Sequence, residues 1–498
     1  MTRRIVVSHD GLYASGADNG NGNSTLQSSS GSSYRPSIYS VSLGARLKQE
    51  RKDEESAAAD GIDASRKLVY TVIYAGLLIP GDGDPLRNAA LVSEGKLIVW
   101  VGEQDELPKK YVDRALRTYT VPYLMPGLWD VHIHFGGDSE EEEAMPAYLG
   151  FISGHPASAG ARLARACWES LQWGYTSVRD VAGYGCEIAK AIEDGTIVGP
   201  NIYSSGGCLS QLAGHGDVFA LPAGDVLQNL GISNIRPGHF GSTMSVICDG
   251  ADECRRAVRL QIRRGAKCIK VLASGGVLSS DDNPLYAQFS PAELDAIVDE
   301  ATRMGRPVAA HVHGKPGIIA AVNAGVTTVE HVSFADDECI NLIKEKGTIF
   351  VATRLIVKEL LDSGGKGLNK KSWEKAKLCG ANHEKAYKLA VAAGCTIALG
   401  TDSPPGYAKM AAELEFAVQA GLSNLEAIKA ATVNGALTVQ GQAPKTGQLK
   451  AGYEADFIGV LENPVEDVKV LQRQENIRWV WKGGKIFKGP GVGPWGGD

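Results

Sequence analysis

No run in this 498-residue chain approaches the roughly 18 consecutive apolar residues that a membrane-crossing helix needs, so no membrane partner is expected. Neither sign of charge dominates: 51 Lys and Arg against 57 Asp and Glu leave a formal −6, which points to no nucleic acid or other polyanion. Cysteine is sparse and scattered. The nine thiols form no C-x-x-C pair and no zinc-finger spacing, the pattern of reduced core cysteines in a cytoplasmic protein. Missing as well is the GxSxG elbow of serine hydrolases, which "YSSGG" and "LASGG" do not supply, and there is no Rossmann or P-loop pattern. At the N-terminus the apolar run "IVV" is too short for a secretory signal. Residues 1–65, rich in Ser, Gly and Asn and then charged, read as a disordered tail. Arg3, Arg4, Arg35 and Arg46 leave a mitochondrial presequence open, against which Asp10 and Asp18 count.

What is present is ordinary globular composition, 44% hydrophobic, on enough chain for one large domain and a smaller one. Residues 66–123 and 441–498 are β-rich, with "KGGK" at 482–485 as a hairpin turn. They predict a small β-sandwich assembled from both termini. Residues 124–440 alternate short apolar runs with amphipathic stretches such as 158–173 and 290–305. In the second of these, Ser290, Pro291 and Glu293 make a strong helix start. Eight such units predict an α/β fold, a (β/α)8 TIM barrel. The strand candidates are "LWDVHIHF", "YTSVRDVAG", "NIYSSGG", "CIKVLASGG", "PVAAHVHG", "TTVEHVSF", "TIFVATRL" and "TIALGTDS".

In such a barrel the chemistry sits where strands run out into loops. Reading those positions alone gives His132 and His134, Lys270, His311 and His313, His331, and Asp402. His132 and His134, with Asp130 before them, leave one face of a strand, and three polar groups crowded there cost free energy unless something binds them. An HxH pair can also be a hydrogen-bonded strand end, His331 a satisfied core histidine, and Asp402 a helix cap. Lys270, in the apolar run "CIKVLAS", is harder to dismiss, because an unpaired ammonium inside a barrel is expensive; Lys267 is the outward-facing alternative. Taken jointly, four histidines, a lysine and an aspartate on different strand ends have one economical explanation, a two-metal hydrolytic site.

The motif order "DVHIH", strand-four lysine, two further strand-end histidines and "GTD" resembles the amidohydrolase superfamily. "GQLKAGYEADFIGVLENP" is similar to that family's returning β-sandwich segment. The blocks "YAGLLIPGDGDPLRNAAL", "HPASAGARLARACWE", "RRAVRLQIRRGAKCIKVLASGG" and "KGPGVGPWG" narrow the resemblance to fungal amidases of the family. The resemblance implies that Lys270 is carboxylated and bridges two divalent ions, zinc first among Zn²⁺, Mn²⁺, Fe²⁺ and Co²⁺. His132, His134 and Asp402 would hold one ion, and His311 and His331 the other. Two M²⁺ bring +4, whereas a carbamate, Asp402 and a bridging hydroxide return −3; a plain ammonium there would repel the metals.

Asp402 would then be the catalytic proton acceptor, and His313 and His215 the groups for the oxyanion or a substrate carboxylate. Arg354, at the seventh strand end, could meet that carboxylate in a bidentate contact. The implied substrate is a small-molecule amide joining an aromatic acyl group to an amino acid such as phenylalanine, cleaved in carboxypeptidase fashion. The resemblance also implies a homo-oligomer, an octamer among the sizes open. Two departures stand out: residues 1–65 do not match, and the loop "GDSEEEEAMPAYLGFISG" is recast and more acidic. Rival readings are an Xaa-Pro-type dipeptidase, a cyclic-amide hydrolase of the imidazolonepropionase kind, and a metal-free scaffold.

Overall fold

The two β-rich segments that flank the middle of the chain meet in one sheet in the computed structural model. The structure describes residues 69–137, 156–234 and 244–497; the tail 1–65 and the acidic stretch 138–154 lie outside the described residues. The N-terminal strands are β1 (Tyr70–Leu78), β2 (Leu86–Glu94), β3 (Leu97–Glu103) and β4 (Ala115–Pro126). The chain then runs through β5 (Leu128–Ile133), β6 (Tyr175–Asp180), β7 (Asn201–Ser204), β8 (Cys208–Ser210), β9 (Ser245–Ile247) and β10 (Ile269–Leu272). It continues with β11 (Val308–Val312), β12 (Thr328–His331) and β13 (Ile349–Val351), and ends in β14 (Phe457–Val460), β15 (Ile477–Lys482) and β16 (Lys485–Lys488).

The terminal strands form a seven-stranded sheet in the order β16-β15-β14-β4-β1-β2-β3. β4 is the junction: it runs parallel to β1 and antiparallel to β14, with Leu124 opposite Gly459 and Pro126 opposite Phe457. Between β15 and β16 the expected hairpin turn is present, and Gly483 and Gly484 take φ of 55° and 74°, values that cost a residue with a side chain. The β3 end of the sheet does not stand open. Ile98 N donates to Tyr453 O at 2.9 Å and Ala455 N to Lys96 O at 2.7 Å, so the sheet curls back on the segment that leads into β14. Ile73, Leu91, Ile98, Leu124, Phe457, Trp481 and Ile486 share one buried cluster beneath it.

The middle of the chain forms two parallel sheets, β5-β6-β7 and β13-β12-β11-β10-β8-β9. Their strands are buried on both faces, as helix-covered parallel sheets require. Seven of the eight expected barrel strands appear as strands. The eighth, 396–403, has no named strand yet does a strand's job. Phe350 N donates to Thr396 O (2.9 Å) and Val131 N to Leu399 O (3.0 Å), so this segment spans the gap between β13 and β5. At the other seam Lys267 N donates to Ser204 O at 2.7 Å. The helix Pro291–Arg303 starts where expected, with a Ser290/Glu293 capping box and Pro291 in its first turn, and buries Leu294, Ile297, Val298 and Ala301. The short strands β8 and β9 have no counterpart among the strand candidates. All described residues belong to one compact unit, 68–498.

Candidate metal centre

Six imidazoles gather at the C-terminal ends of the parallel strands. His132 is the fifth residue of β5, and His134 follows just beyond its end. Their rings stand 5.5 Å apart, edge to face. His132 also lies 4.9 Å from His331, which lies 4.6 Å from His311; His313 touches both of these, and His215 stacks on His311 at 4.4 Å. Asp402 is the hub on the more open side. Its Oδ1 is 2.9 Å from His134 Nε2 and 3.5 Å from His132 Nε2, and its Oδ2 is 3.9 Å from His331 Nδ1. Lys270 Nζ, fully enclosed, sits 3.5 Å from the same His132 Nε2.

Among the described residues, the group of His, Cys, Asp or Glu whose ligand atoms all lie within 4.8 Å of one another is His132, His134 and Asp402. The donor set suits a divalent cation. Each of these imidazoles has its other nitrogen engaged: His132 Nδ1 with Glu330 Oε2 at 2.7 Å and His134 Nδ1 with Ala182 O at 3.1 Å. That leaves the two Nε2 atoms converging on one carboxylate, the arrangement in which an outer partner fixes the tautomer of a ligating histidine. His331 Nδ1 is held by Thr353 Oγ1 at 2.7 Å, and His311 Nε2 by Gly275 O at 3.3 Å.

The electrostatics keep His132, His311, His313 and His331 neutral and Asp402 ionised; His134 is the exception, because burial lowers it but the hydrogen bond and charge of Asp402 outweigh that and raise it. Burial, with the Lys270 charge adding to it, pulls His132 down to about 4. Burial and neighbouring histidines likewise hold His311 and His331 well below their ordinary range, and bring His313 to about 3. Burial pushes Asp402 up, but His132, His134 and Lys270 outweigh it and leave the carboxyl at about 2. Burial also lowers Lys270, which favours an uncharged amine. Backbone strain concentrates here too: His331, Val332, Thr353 and Asp402 have φ of 70°, 56°, 51° and 60°, a region that β-branched residues rarely enter.

The structure brings together His132, His134, Lys270, His311, His331 and Asp402, with His313 and His215 flanking the His311–His331 pair. Arg354 is not in contact with these rings. It opens the helix Arg354–Asp362 and pairs with Glu384 at 3.4 Å, while its Nη1 is buried without a hydrogen-bond partner. Asp130 does not join the histidines either. Its carboxylate accepts from Thr401 Oγ1 (2.7 Å), Thr401 N (3.1 Å) and His132 N (3.1 Å), and so braces β5 against the loop carrying Asp402. Two residues that hold the cluster in place escape a reading of strand ends. Glu330, wholly buried, accepts from His132, from Thr328 Oγ1 in a close contact, and from Arg179 Nη2 at 2.7 Å. Arg179 in turn donates to Val131 O at 2.5 Å. A charged pair in apolar strands, beside a histidine one residue on, was the available signal.

Residues 123–487 match the amidohydrolase family, and the chain belongs to it. It is accordingly a hydrolase acting on amide C–N bonds. The chain is 61% identical over 438 residues to an ochratoxinase from Aspergillus niger, a match covering 88% of this chain and 90% of that protein. The crystal structure of that A. niger ochratoxinase superposes with a TM-score of 0.84, covering 86% of this chain and 98% of the other. A Xaa-Pro dipeptidase crystallised with methionine in its active site is 27% identical, with a TM-score of 0.74 over 84% of this chain and all of that one.

Proposed function

We propose that this chain hydrolyses the amide between an aromatic acyl group and an amino acid, with ochratoxin A as substrate and L-phenylalanine and ochratoxin α as products. The observation that carries the reading is the convergence of His132 and His134 on Asp402, with Lys270 enclosed behind them at 3.5 Å. The 61% identity to an ochratoxinase supports the choice of acyl amino acid. Two divalent ions, zinc first, would be held by His132, His134 and Asp402 and by His311 and His331, with carboxylated Lys270 between them. When bound, they supply a hydroxide near neutral pH and polarise the scissile carbonyl.

The chain's own residues do the rest. Asp402, ionised and the most open carboxylate of the cluster, takes a proton from the attacking water and returns it to the leaving amine. His313, set by Ser333 Oγ at 2.8 Å, and His215 are placed beside His311 to meet the oxyanion or the substrate carboxylate. Arg354, with a buried donor uncommitted, is the cation for a substrate carboxylate.

We read the two parallel sheets as arcs of one (β/α)8 barrel spanning 124–440, a reading supported by the 396–403 segment that joins β13 to β5. The curled terminal sheet is then the small β-sandwich of 66–123 and 441–498. A cytoplasmic location fits the nine free cysteines, all buried, and a homo-oligomer is carried over from the family resemblance. The test is a panel of N-acyl amino acids and dipeptides, ochratoxin A included, assayed for amino-acid release. Cleavage of ochratoxin A supports the reading. Turnover confined to Xaa-Pro dipeptides would replace it with the dipeptidase reading that the 27% identical structure favours.

A further inference from the structure

A second polar network, outside the metal centre, ends on His215. His215 sits in the loop after β8, and its Nδ1 is 2.8 Å from Ser279 Oγ and 3.6 Å from Asp282 Oδ2. Ser279 Oγ makes a close contact with Asp282 Oδ1. Lys375, on the helix Lys370–Ala393, donates to that same Oδ1 at 2.8 Å and to Ser279 O at 2.5 Å. Gly276 N donates to Asp282 Oδ2 at 2.7 Å, and His215 N to Gln288 Oε1 at 2.9 Å. The Asp282 side chain is 2% exposed and that of Lys375 12%. Burying such a pair is costly and is no source of stability by itself.

The chemistry of the serine decides what the network does. A hydroxyl has one proton, and Ser279 commits it to the carboxylate, so toward His215 its oxygen accepts. Nδ1 of His215 must therefore carry the hydrogen, and the ring is fixed in both tautomer and plane. The plane is fixed a second way: a Cβ on Gly276 would lie 2.1 Å from His215 Cε1, so only glycine admits the ring where it stacks on His311. Three separate segments, the loop after β8, the loop after β10 and the helix Lys370–Ala393, thus converge to orient one imidazole.

We infer that Asp282, Ser279 and Lys375 are positioning residues that act on the substrate through His215, aligning it for the carboxylate of an N-acyl amino acid. This rests on the hydrolase reading above. The test compares Ser279→Ala, Asp282→Asn, Lys375→Met, Lys375→Arg and Gly276→Ala with the metal-loaded wild type. It measures KM, kcat, metal content and calorimetric affinity for L-phenylalanine. Ser279→Ala keeps the Lys375–Asp282 pair, and Gly276→Ala displaces the ring while changing no charge, so neither depends on a buried charge surviving alone. The expected result is a rise of about 10- to 100-fold in KM and in the L-phenylalanine dissociation constant, the size of a lost charge-assisted hydrogen bond. Metal content stays unchanged, kcat moves far less, and Lys375→Arg returns near to wild type. Loss of metal with unchanged KM would overturn the inference and make the network a support for His311. A lower melting temperature with unchanged KM and affinity would overturn it too, reducing the network to a clamp between loops. Absence of turnover in the wild type would count against the hydrolase reading alone, because the affinity measurement still decides the positioning role.

Discussion

His132 Nδ1 lies 2.7 Å from Glu330 Oε2, and that contact decides which nitrogen of His132 faces Asp402 and Lys270. Arg179, 2.7 Å from the other oxygen of Glu330, keeps the carboxylate ionised and tied to β5 through Val131 O. The chain Arg179–Glu330–His132 joins three parallel strands, so the orientation of one imidazole is set by residues on β6 and β12.

Glu330→Gln keeps the shape and removes the charge. Metal affinity should fall about 10- to 100-fold, the usual cost of losing a partner behind a ligating histidine. Titration with a competing chelator measures it. An unchanged affinity would mean that His132 is held by packing alone.

Acid should loosen the metal-free protein in a defined window. Burial leads the lowering of His132 from 6.5 to about 4 and of His313 from 6.5 to about 3. A group whose folded pKa is depressed contributes stability above its unfolded value and loses it as pH falls toward the folded one. Glu330 acts the same way below 4.5: burial pushes it up, but Arg179 and His132 outweigh that and hold it well down. The melting temperature of chelated protein should therefore decline as pH drops through 6.5 to 4 and faster below, and His313→Asn should flatten the upper part. A level profile over that range would contradict the assignment of these rings as buried and neutral.

Lys270 and Lys267 make a matched pair. Lys270 points into the histidine cluster, whereas Lys267 lies at the seam with β7 beside Gly185, Lys190 and Glu193. Lys270→Ala should drop metal content from about two ions per chain and reduce turnover by several orders of magnitude, with partial rescue by formate or propionate. Lys267→Ala should do little. Retained metal and activity in both variants would remove the carbamate bridge.

Gly400→Ala should damage the site from behind. A Cβ there would lie 2.5 Å from His132 Cβ and 2.7 Å from His132 N, contacts that backbone must move to relieve. We expect a stability loss of about 1–3 kcal/mol, as for overpacking, together with metal loss as Asp402 and His132 are forced apart. Denaturant unfolding and metal analysis on the same sample would show whether the two go together.

The histidine cluster was legible because histidine at strand ends breaks an otherwise apolar pattern; seven of the eight strands expected between 124 and 440 followed from the same alternation. "TIALGTDS" reads as a strand but is laid down as single bridges, because Gly400 and the left-handed Asp402 bend it toward His132. Glu330 and Arg179 left only a weak signal, a charge inside an apolar strand, because pairing across strands alone shows that they face each other. Asp130 misled through its spacing. It shares a strand face with His132, yet Thr401 claims its carboxylate before the histidines can. Lys375 and Asp282, 93 residues apart, carry no local signal at all.

The seam between β4 and β14 has a consequence for how the protein is made. β4 leads through Gly127 straight into the strand bearing His132; β1 covers one of its edges early, but the partner of its other edge begins only at Phe457, more than three hundred residues later. At about 5–20 residues per second on the ribosome, the hydrogen-bonding edge of Tyr123–Pro126 waits roughly twenty seconds to a minute for Phe457–Val460 to emerge. An unpaired edge invites other nascent chains. Termination between His331 and β14 would therefore yield a chain with every histidine of the cluster in place but with one edge of β4 left open to aggregation.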